Sequence, residues 1–398
     1  MKVYFDDVTY DYELKRIVGA AIAGGADLNE SLAAARTITP GDGDSWYRAW
    51  HSLGQSVLAM AEASLKRGHR VSAREGLLRA CNYFRAADFF LHGDPQDPRI
   101  LKSWRISRDC FRRAAKLMDH PVEVVAIPYE NTTLPGYFLR PDSSAKPRPT
   151  LLLQTGFDGT AEELYFGPGK AALARGYNLL IFEGPGQGGV IREQKLVFRP
   201  DWEKVVTPVV DFVLHRPEVD PQRLALMGLS MGGCLAPRAA AFEHRLAGLI
   251  ANPGVYDMMA GHDISAKQWA EMKKDPAGTN QALRARMNKD LGFRWLVNNG
   301  MFTTGAKSPL EFFEKFSQYN LGDLVPRIKA TSLVIASDGD HFYSFAEQKK
   351  LYNLLTCPKT LLVFTHAEHA TPHCQMGALA VSDQHIFDWL DETMAGIR

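Results

Sequence analysis

The sequence predicts an α/β protein, with a mostly parallel central sheet flanked by helices, a helical domain before it and a helical lid inserted into it. Three observations carry this expectation. From about residue 150 onward, short apolar runs alternate with amphipathic segments, the pattern of a parallel sheet covered on both faces. One such run, Leu224 to Met227, leads into Gly228-Leu229-Ser230-Met231-Gly232 and then into a small-residue helix. That order is the strand–turn–helix setting of a nucleophile elbow, in which the central residue is held in strained backbone and bulky neighbours are excluded. The first third of the chain has no strand patterning and carries apolar residues at spacings of three and four.

The N-terminal third predicts helices over 44–67, 71–91 and 98–117. Ala59, Ala63, Ala73, Gly76, Ala80 and Ala86 are small enough to let such helices approach closely, and Gly68 is a stop signal for the first. A pair of tetratricopeptide repeats would look similar, but no second copy recurs at a fixed period. The expected organisation is therefore a helical cap domain over 1–120 and a catalytic domain over 121–398.

At His120-Pro121 the period changes to two, predicting a hairpin that turns at Asn131-Thr132. Strands follow at 150–154, 177–182, 224–228, 246–251, 332–336 and 360–364, and helices at 161–175, 201–214, 231–242 and 378–394. Between about 255 and 326 the alternation stops, and helix formers, methionines and aromatics take over. This stretch reads as the lid, with Trp269, Trp295, Phe302, Phe312, Phe313 and Phe316 expected in its own core rather than against a substrate.

Composition excludes several classes. With 46 basic and 45 acidic residues the net charge is +1, which advertises neither nucleic acid nor an anionic membrane surface. The first residues, MKVYFDDVTYDYELK, carry acids where a secretory signal would be apolar, and no apolar run reaches membrane-spanning length. The five cysteines are odd in number and lack CxxC spacing, as expected of reduced thiols in a cytoplasmic protein.

A serine nucleophile needs a base and an orienting acid, which in this arrangement follow it in chain order, each just past a strand. For Ser230 the acid is expected in the SDGD loop, at Asp340 rather than Asp338, because such a loop reaches its working position about four residues past the strand. The base is expected in the loop THAEHATPHCQMG, which offers His366, His369 and His373. An oxyanion hole needs two amides: Met231 supplies one, and Phe157 or Asp158 in the loop TGFDGTAEELYF the other. The glycines of GPGQGG (Gly184, Gly186, Gly188 and Gly189) lack the order of a phosphate loop and read as a tight turn lining the cleft.

The stretches GFDGTAEELYF, GYNLLIFEGPGQGG, FRPDWEKVVTPVVDFV, DPQRLALMGLSMGGCLAPRAAAFEHRLAGLIANPGVYD and HCQMGALAVSDQHIFDWLDET together resemble one branch of the α/β-hydrolase superfamily. It is the branch of 2,6-dihydroxypseudooxynicotine hydrolase, the fungal polyketide chain-shortening hydrolases and bacterial dipeptidyl aminopeptidase-like hydrolases. The resemblance covers about residues 45 to 395, including WYRAWHSLGQ and LLRACNYFRAADFF. It implies the α/β-hydrolase fold and assigns the base to His373, because F-T-x-E-E-G-A-x-x-H-C lines up with Phe364 to Cys374. Two departures from the pattern stand out. His369 stands where glycine is commoner, and Glu183 where aspartate is more usual, with a longer side chain expected to reshape the cleft floor. The assignments carried forward are Ser230, Asp340 and His373 as catalytic residues and Met231 and Phe157 as the oxyanion hole, with Asp158, Glu163 and His369 as candidate substrate contacts.

The resemblance further implies hydrolysis of a carbon–carbon bond beside a ketone in an aromatic or polyketide-like small molecule, with no metal or organic cofactor. It also suggests a homodimer. The alternatives on the same residues are an esterase, lactonase, amide hydrolase or acyltransferase, and, more remotely, a non-catalytic binding protein on a hydrolase fold.

Overall fold

A computed structural model describes residues 2–260 and 264–397. The N-terminal third is helical: α1 (Val8–Gly19), α2 (Leu28–Ala35), α3 (Gly43–Lys66), α4 (Arg70–Ala87) and α5 (Pro98–Ala115). Their ends follow local chemistry. Asp42 caps α3 by accepting from the amides of Asp44 (2.9 Å) and Ser45 (3.1 Å). Gly68, at φ +84°, ends α3 in the left-handed conformation that glycine adopts without a Cβ penalty. Asp97 caps α5, with Pro98 in its first turn. α3 and α4 lie so close that a Cβ on Gly76 would stand 2.8 Å from that of Ala61. Trp46, Trp50, Tyr83 and Phe84 fill the space beneath them, fully buried, and the Trp46 indole donates to the Ala86 carbonyl (2.7 Å).

Eight strands form one sheet in the order β1-β2-β4-β3-β5-β6-β7-β8. They are β1 (Val122–Tyr129), β2 (Thr132–Leu139), β3 (Arg148–Gln154), β4 (Asn178–Phe182), β5 (Val219–Leu229), β6 (Gly248–Asn252), β7 (Thr331–Ser337) and β8 (Lys359–Phe364). β1 and β2 are antiparallel, and from β4 through β8 every pairing is parallel. This is the α/β-hydrolase fold. β4, β6 and β7 are buried along almost their whole length, and β3 and β5 over 150–154 and 224–229, as strands covered on both faces must be. The carboxyl ends of β3, β5, β7 and β8 open on one edge of the sheet, where ligands bind in open α/β sheets.

The structure departs from the sequence expectations in several places. The hairpin turns at Glu130-Asn131, one residue early, because Tyr129 pairs with Thr132 and Glu130 takes a positive φ of 44°. The helix expected over 161–175 is broken into Ala161–Leu164 and Lys170–Ala174 by Gly167, which leaves helical geometry, and by Pro168, which has no amide to donate. α1 and α2 were not anticipated, and neither was the helix Phe345–Leu354 between the acid loop and β8. Among its described residues, the stretch expected to be the lid holds the α-helices Ala266–Lys274, Pro276–Met287, Leu291–Thr304 and Pro309–Phe316. Phe312 and Phe313 are buried in its core, and so are Trp295 and Phe316, which also line the cavity beside Ser230. Among the described residues, no helix is long and apolar enough to cross a membrane, and all five cysteines are free.

Candidate active site

The elbow forms because β5 must turn sharply into the helix Gly232–Ala240. Ser230 sits at the apex at φ 58°, a conformation costly for any residue but glycine. A Cβ on Gly228 would meet the Gly232 carbonyl oxygen at 2.0 Å, and one on Gly232 would meet the Thr155 oxygen at 2.8 Å. The turn is anchored by the Ser230 amide, which donates to the Asn252 carbonyl at the end of β6 (2.7 Å).

The structure brings three sequence-assigned side chains into one hydrogen-bonded line. His373 Nε2 lies 2.8 Å from Ser230 Oγ, and His373 Nδ1 lies 2.8 Å from Asp340 Oδ2. The second Asp340 oxygen accepts from the amides of Phe342 (2.8 Å) and Tyr343 (3.1 Å), so the carboxylate is fully engaged although its side chain is only 1 % exposed. With Asp340 accepting at Nδ1, that nitrogen carries the proton and Nε2 is left to accept from Ser230. Burial opposes a charge on His373, but the Asp340 carboxylate outweighs it and holds the imidazole well above its ordinary value. Burial likewise opposes the Asp340 charge, and His373 overcomes it, so the carboxyl titrates below its usual range.

Asp338 is exposed and faces His366 at 3.7 Å, away from this line. His369 is also exposed and does not line the cavity. Its φ of 59° explains why glycine is commoner there: the position is the left-handed stop of a short helix. His369 therefore stands apart from the cavity that Ser230 and His373 line.

Met231 is the residue at the helix start, ahead of the first amide bonded within Gly232–Ala240. Gly156 approaches it so closely that a Cβ there would lie 2.6 Å from the Met231 nitrogen and 2.8 Å from Ser230 Cβ. The loop carrying Phe157 therefore runs directly over the serine.

Asp158 and Glu163 line the same cavity as Ser230 and His373. They do so as partners of a residue that sequence reading missed. Arg16, on α1, donates to Glu163 (2.5 and 2.7 Å) and to Asp158 (2.6 Å), and Glu13 stands 3.4 Å away. Burial raises the Glu163 carboxyl, but Arg16 and Arg85 more than reverse this and draw it down to about 2. Burial prevails at Glu13, which is pushed up to about 7 in spite of Arg16. Tyr12, also on α1, donates its hydroxyl to the His373 carbonyl (3.1 Å), tying the N-terminal helix to the histidine loop. That loop is strained, with Cys374 and Gln375 both at positive φ. His341 lines the cavity too and is driven down to about 4 by burial and by the His373 charge, so it stays neutral at physiological pH.

The cavity holds about 460 Å³, within the range of small-molecule sites. One wall is aromatic (Phe157, Trp295, Phe316, Phe342) and the other charged (Arg16, Asp158, Glu163). Two expectations fail here. The GPGQGG glycines do not line the cavity; Gly184 packs on Trp202, Gly186 on Phe198 and Gly189 on Trp104. Glu183 does not reach the cleft floor either. It is buried behind the loop, accepting from the amides of Ala161 (2.7 Å) and Gly189 (2.6 Å), and burial beside Glu162 pushes its carboxyl up to about 7.

Because Arg16 neutralises buried carboxylates on the catalytic side of the fold, Arg16→Leu is expected to destabilise the protein by about 3–5 kcal/mol, the cost of stranding buried charge. Urea denaturation measures this, and a loss below about 1 kcal/mol would contradict the ion-pair assignment.

Comparison with known proteins identifies the family. A model of the alpha/beta hydrolase family matches residues 155–391. The chain is 35% identical to Hydrolase LUC6 of a Fusarium species, an alignment covering 100% of this chain and 99% of the relative. It is 34% identical to 20-hydroxy-prefusarin hydrolase FUS2 of Gibberella moniliformis, over 99% of this chain and 98% of that one. Among solved structures, 2,6-dihydroxy-pseudo-oxynicotine hydrolase superposes with a TM-score of 0.76 at 21% identity, covering 95% of each chain, which shows a shared fold. This chain is a hydrolase and belongs to the α/β-hydrolase family.

Proposed function

We propose that Ser230, His373 and Asp340 form a catalytic triad that hydrolyses a carbon–carbon bond beside a ketone in an aromatic or polyketide-like small molecule. The observation that carries this reading is the Ser230–His373–Asp340 line, with 2.8 Å at each step, opening into a cavity with an aromatic wall. His373 takes the Ser230 proton as Oγ adds to the carbonyl carbon. The amides of Met231 and Phe157 hold the oxyanion of the tetrahedral adduct. The carbon–carbon bond then breaks, its electron pair leaves on the departing carbon, and His373 delivers the proton there. Water, deprotonated by His373, adds to the acyl-serine and releases a carboxylic acid and free Ser230.

The aromatic wall supports this choice of bond. A carbanion leaves only if an electron-rich ring or a β-dicarbonyl arm stabilises it, and Phe157, Trp295, Phe316 and Phe342 offer such an arm apolar faces. FUS2 is by name a 20-hydroxy-prefusarin hydrolase, which makes natural-product-like carbonyl compounds the first class to test. The helices α1 to α5 act in this reading as a cap domain that completes the cavity wall through Tyr12 and Arg16.

The test is a product analysis of the purified enzyme with an aryl 1,3-diketone and with the matched aryl ester. The expected result is conversion of the diketone to one carboxylic acid and one methyl ketone. Turnover of the ester alone would replace this reading with that of an esterase, lactonase or amide hydrolase on the same triad.

A further inference from the structure

The loop that carries the proposed oxyanion donor Phe157 is held from behind by a closed ring of buried polar groups, which the triad mechanism does not use. The Phe157 N–H belongs to the same peptide group as the Gly156 carbonyl. Gln187, 1 % exposed, donates its amide to the carbonyls of Gly156 (3.1 Å) and Thr155 (2.8 Å). The next carbonyl, that of Phe157, accepts from Asn299 Nδ2 on the lid helix Leu291–Thr304 (3.1 Å). Two consecutive carbonyls flanking one amide are thus fixed by side chains from two different segments, which determines where that N–H points.

The two anchors are joined to each other. Asn299 is wholly buried, and its Oδ1 lies 2.8 Å from His92 Nδ1. Since Nδ2 is committed as donor to Phe157, Oδ1 must accept, and His92 carries its proton on Nδ1. The imidazole is stacked on Phe302, with centroids 4.7 Å apart, and its Nε2 lies 3.4 Å from Arg192 Nη2. Arg192 pairs with Asp88 (2.8 Å) and donates to the Gly188 carbonyl (3.2 Å), adjacent to Gln187. The ring therefore runs from Gly156 through Gln187, Gly188, Arg192, Asp88 with His92, and Asn299 back to Phe157. It draws on the turn after α4, the GPGQGG loop and the lid. Its donors are satisfied, and a satisfied buried network is rigid because opening any link strands a polar group at a cost of about 1–3 kcal/mol.

On the proposed triad reading, we infer that Asn299 and His92 are positioning residues, through which the lid and the N-terminal helical region orient the Phe157 amide toward the oxyanion. Trp295, one turn before Asn299, lies in the same cavity and meets the Phe157 ring edge-on (6.1 Å, 86°), so a substrate pressing on the lid helix acts on the same loop.

The test measures kcat, KM and the affinity of an aryl trifluoromethyl ketone, which adds to the serine as a tetrahedral oxyanion. Asn299→Leu keeps the volume and removes the donor. It is expected to lower kcat roughly 10- to 100-fold, as misplacing a catalytic group does, and to weaken the trifluoromethyl ketone by the same factor while KM changes less than about threefold. His92→Leu should reproduce the loss, and His92→Gln, which still presents an N–H to Asn299, should recover most of the rate. These two variants carry the test if Asn299→Leu fails to fold. Unchanged kcat and inhibitor affinity, or a rise in KM alone, would overturn the inference. Fluorophosphonate labelling of wild-type Ser230 separates the failures: a labelled serine with indifferent variants overturns the positioning role alone, whereas an unlabelled one removes the triad reading and this inference together.

Discussion

Ser230→Ala is expected to abolish turnover, with a fall in kcat on the order of 10⁵–10⁶-fold and an unchanged fold. The size follows from the geometry. Ser230 Oγ is the atom His373 Nε2 addresses at 2.8 Å, and removing a nucleophile costs as much as removing the triad that activates it. Only the oxyanion amides and binding would remain. Stability should stay the same or rise slightly, because the hydroxyl takes no part in the core, and alanine meets the same strain at φ 58°. Rate and melting temperature measured on the same preparation check this. A variant that keeps a tenth of the wild-type rate would mean that Ser230 is not the attacking group.

The second large effect separates two histidines four residues apart. His373→Ala should cost on the order of 10⁵-fold, because both the base and the proton donor are lost. His369→Ala should change the rate by no more than about twofold, since the residue is exposed and away from the cavity. The reverse order would show that the base was misassigned. The pH profile gives an independent check. His373 must be neutral to take the serine proton, and the Asp340 charge, outweighing burial, holds its pKa well above 6.5. kcat/KM should therefore rise with pH through an apparent value above 6.5. Asp340→Asn removes that charge, so the limb should move to lower pH as the maximum falls. For stability the sign is opposite: a raised folded-state pKa favours the protonated fold, so this contribution is full below pH 6.5 and declines as pH rises through the folded value.

Much of the Ser230–His373–Asp340 line was legible because it is written locally. The elbow needs glycines two positions either side of Ser230, and the acid and base must follow later strands in order. Those constraints act over a few residues each, and they led to Asp340 and to the histidine loop. The choice of His373 needed the family resemblance, because three histidines in one loop differ only in where the chain places them. Backbone geometry supplies the reason in retrospect: His369 occupies a left-handed stop, while His373 is tied by Tyr12.

The charged wall was not legible in the same way. Asp158 and Glu163 were singled out, but their partner Arg16 lies in YDYELKR, a segment with no motif and 142 residues from Asp158. Tyr12 and His373 are 361 residues apart. Such contacts depend on docking α1 against the core, which no periodicity reveals. Asn299 is hidden for another reason. On an amphipathic lid helix, an asparagine reads as a solvent-facing residue until the loop opposite is in place. The GPGQGG loop misled in the opposite direction. Its glycines suggested a cleft lining, whereas they admit Trp202, Phe198 and Trp104 against the backbone, and the part of the motif that bears on the site is Gln187.

The most direct measurement is fluorophosphonate labelling of the folded protein, with the modified residue read by mass spectrometry in wild type and in Ser230→Ala and His373→Ala. Labelling at Ser230 that is lost in both variants is the predicted result, because only a serine activated by His373 attacks phosphorus at a useful rate. A well-folded wild-type protein that takes no label, or takes it at another residue, would contradict the assignment of Ser230 as the nucleophile of this hydrolase.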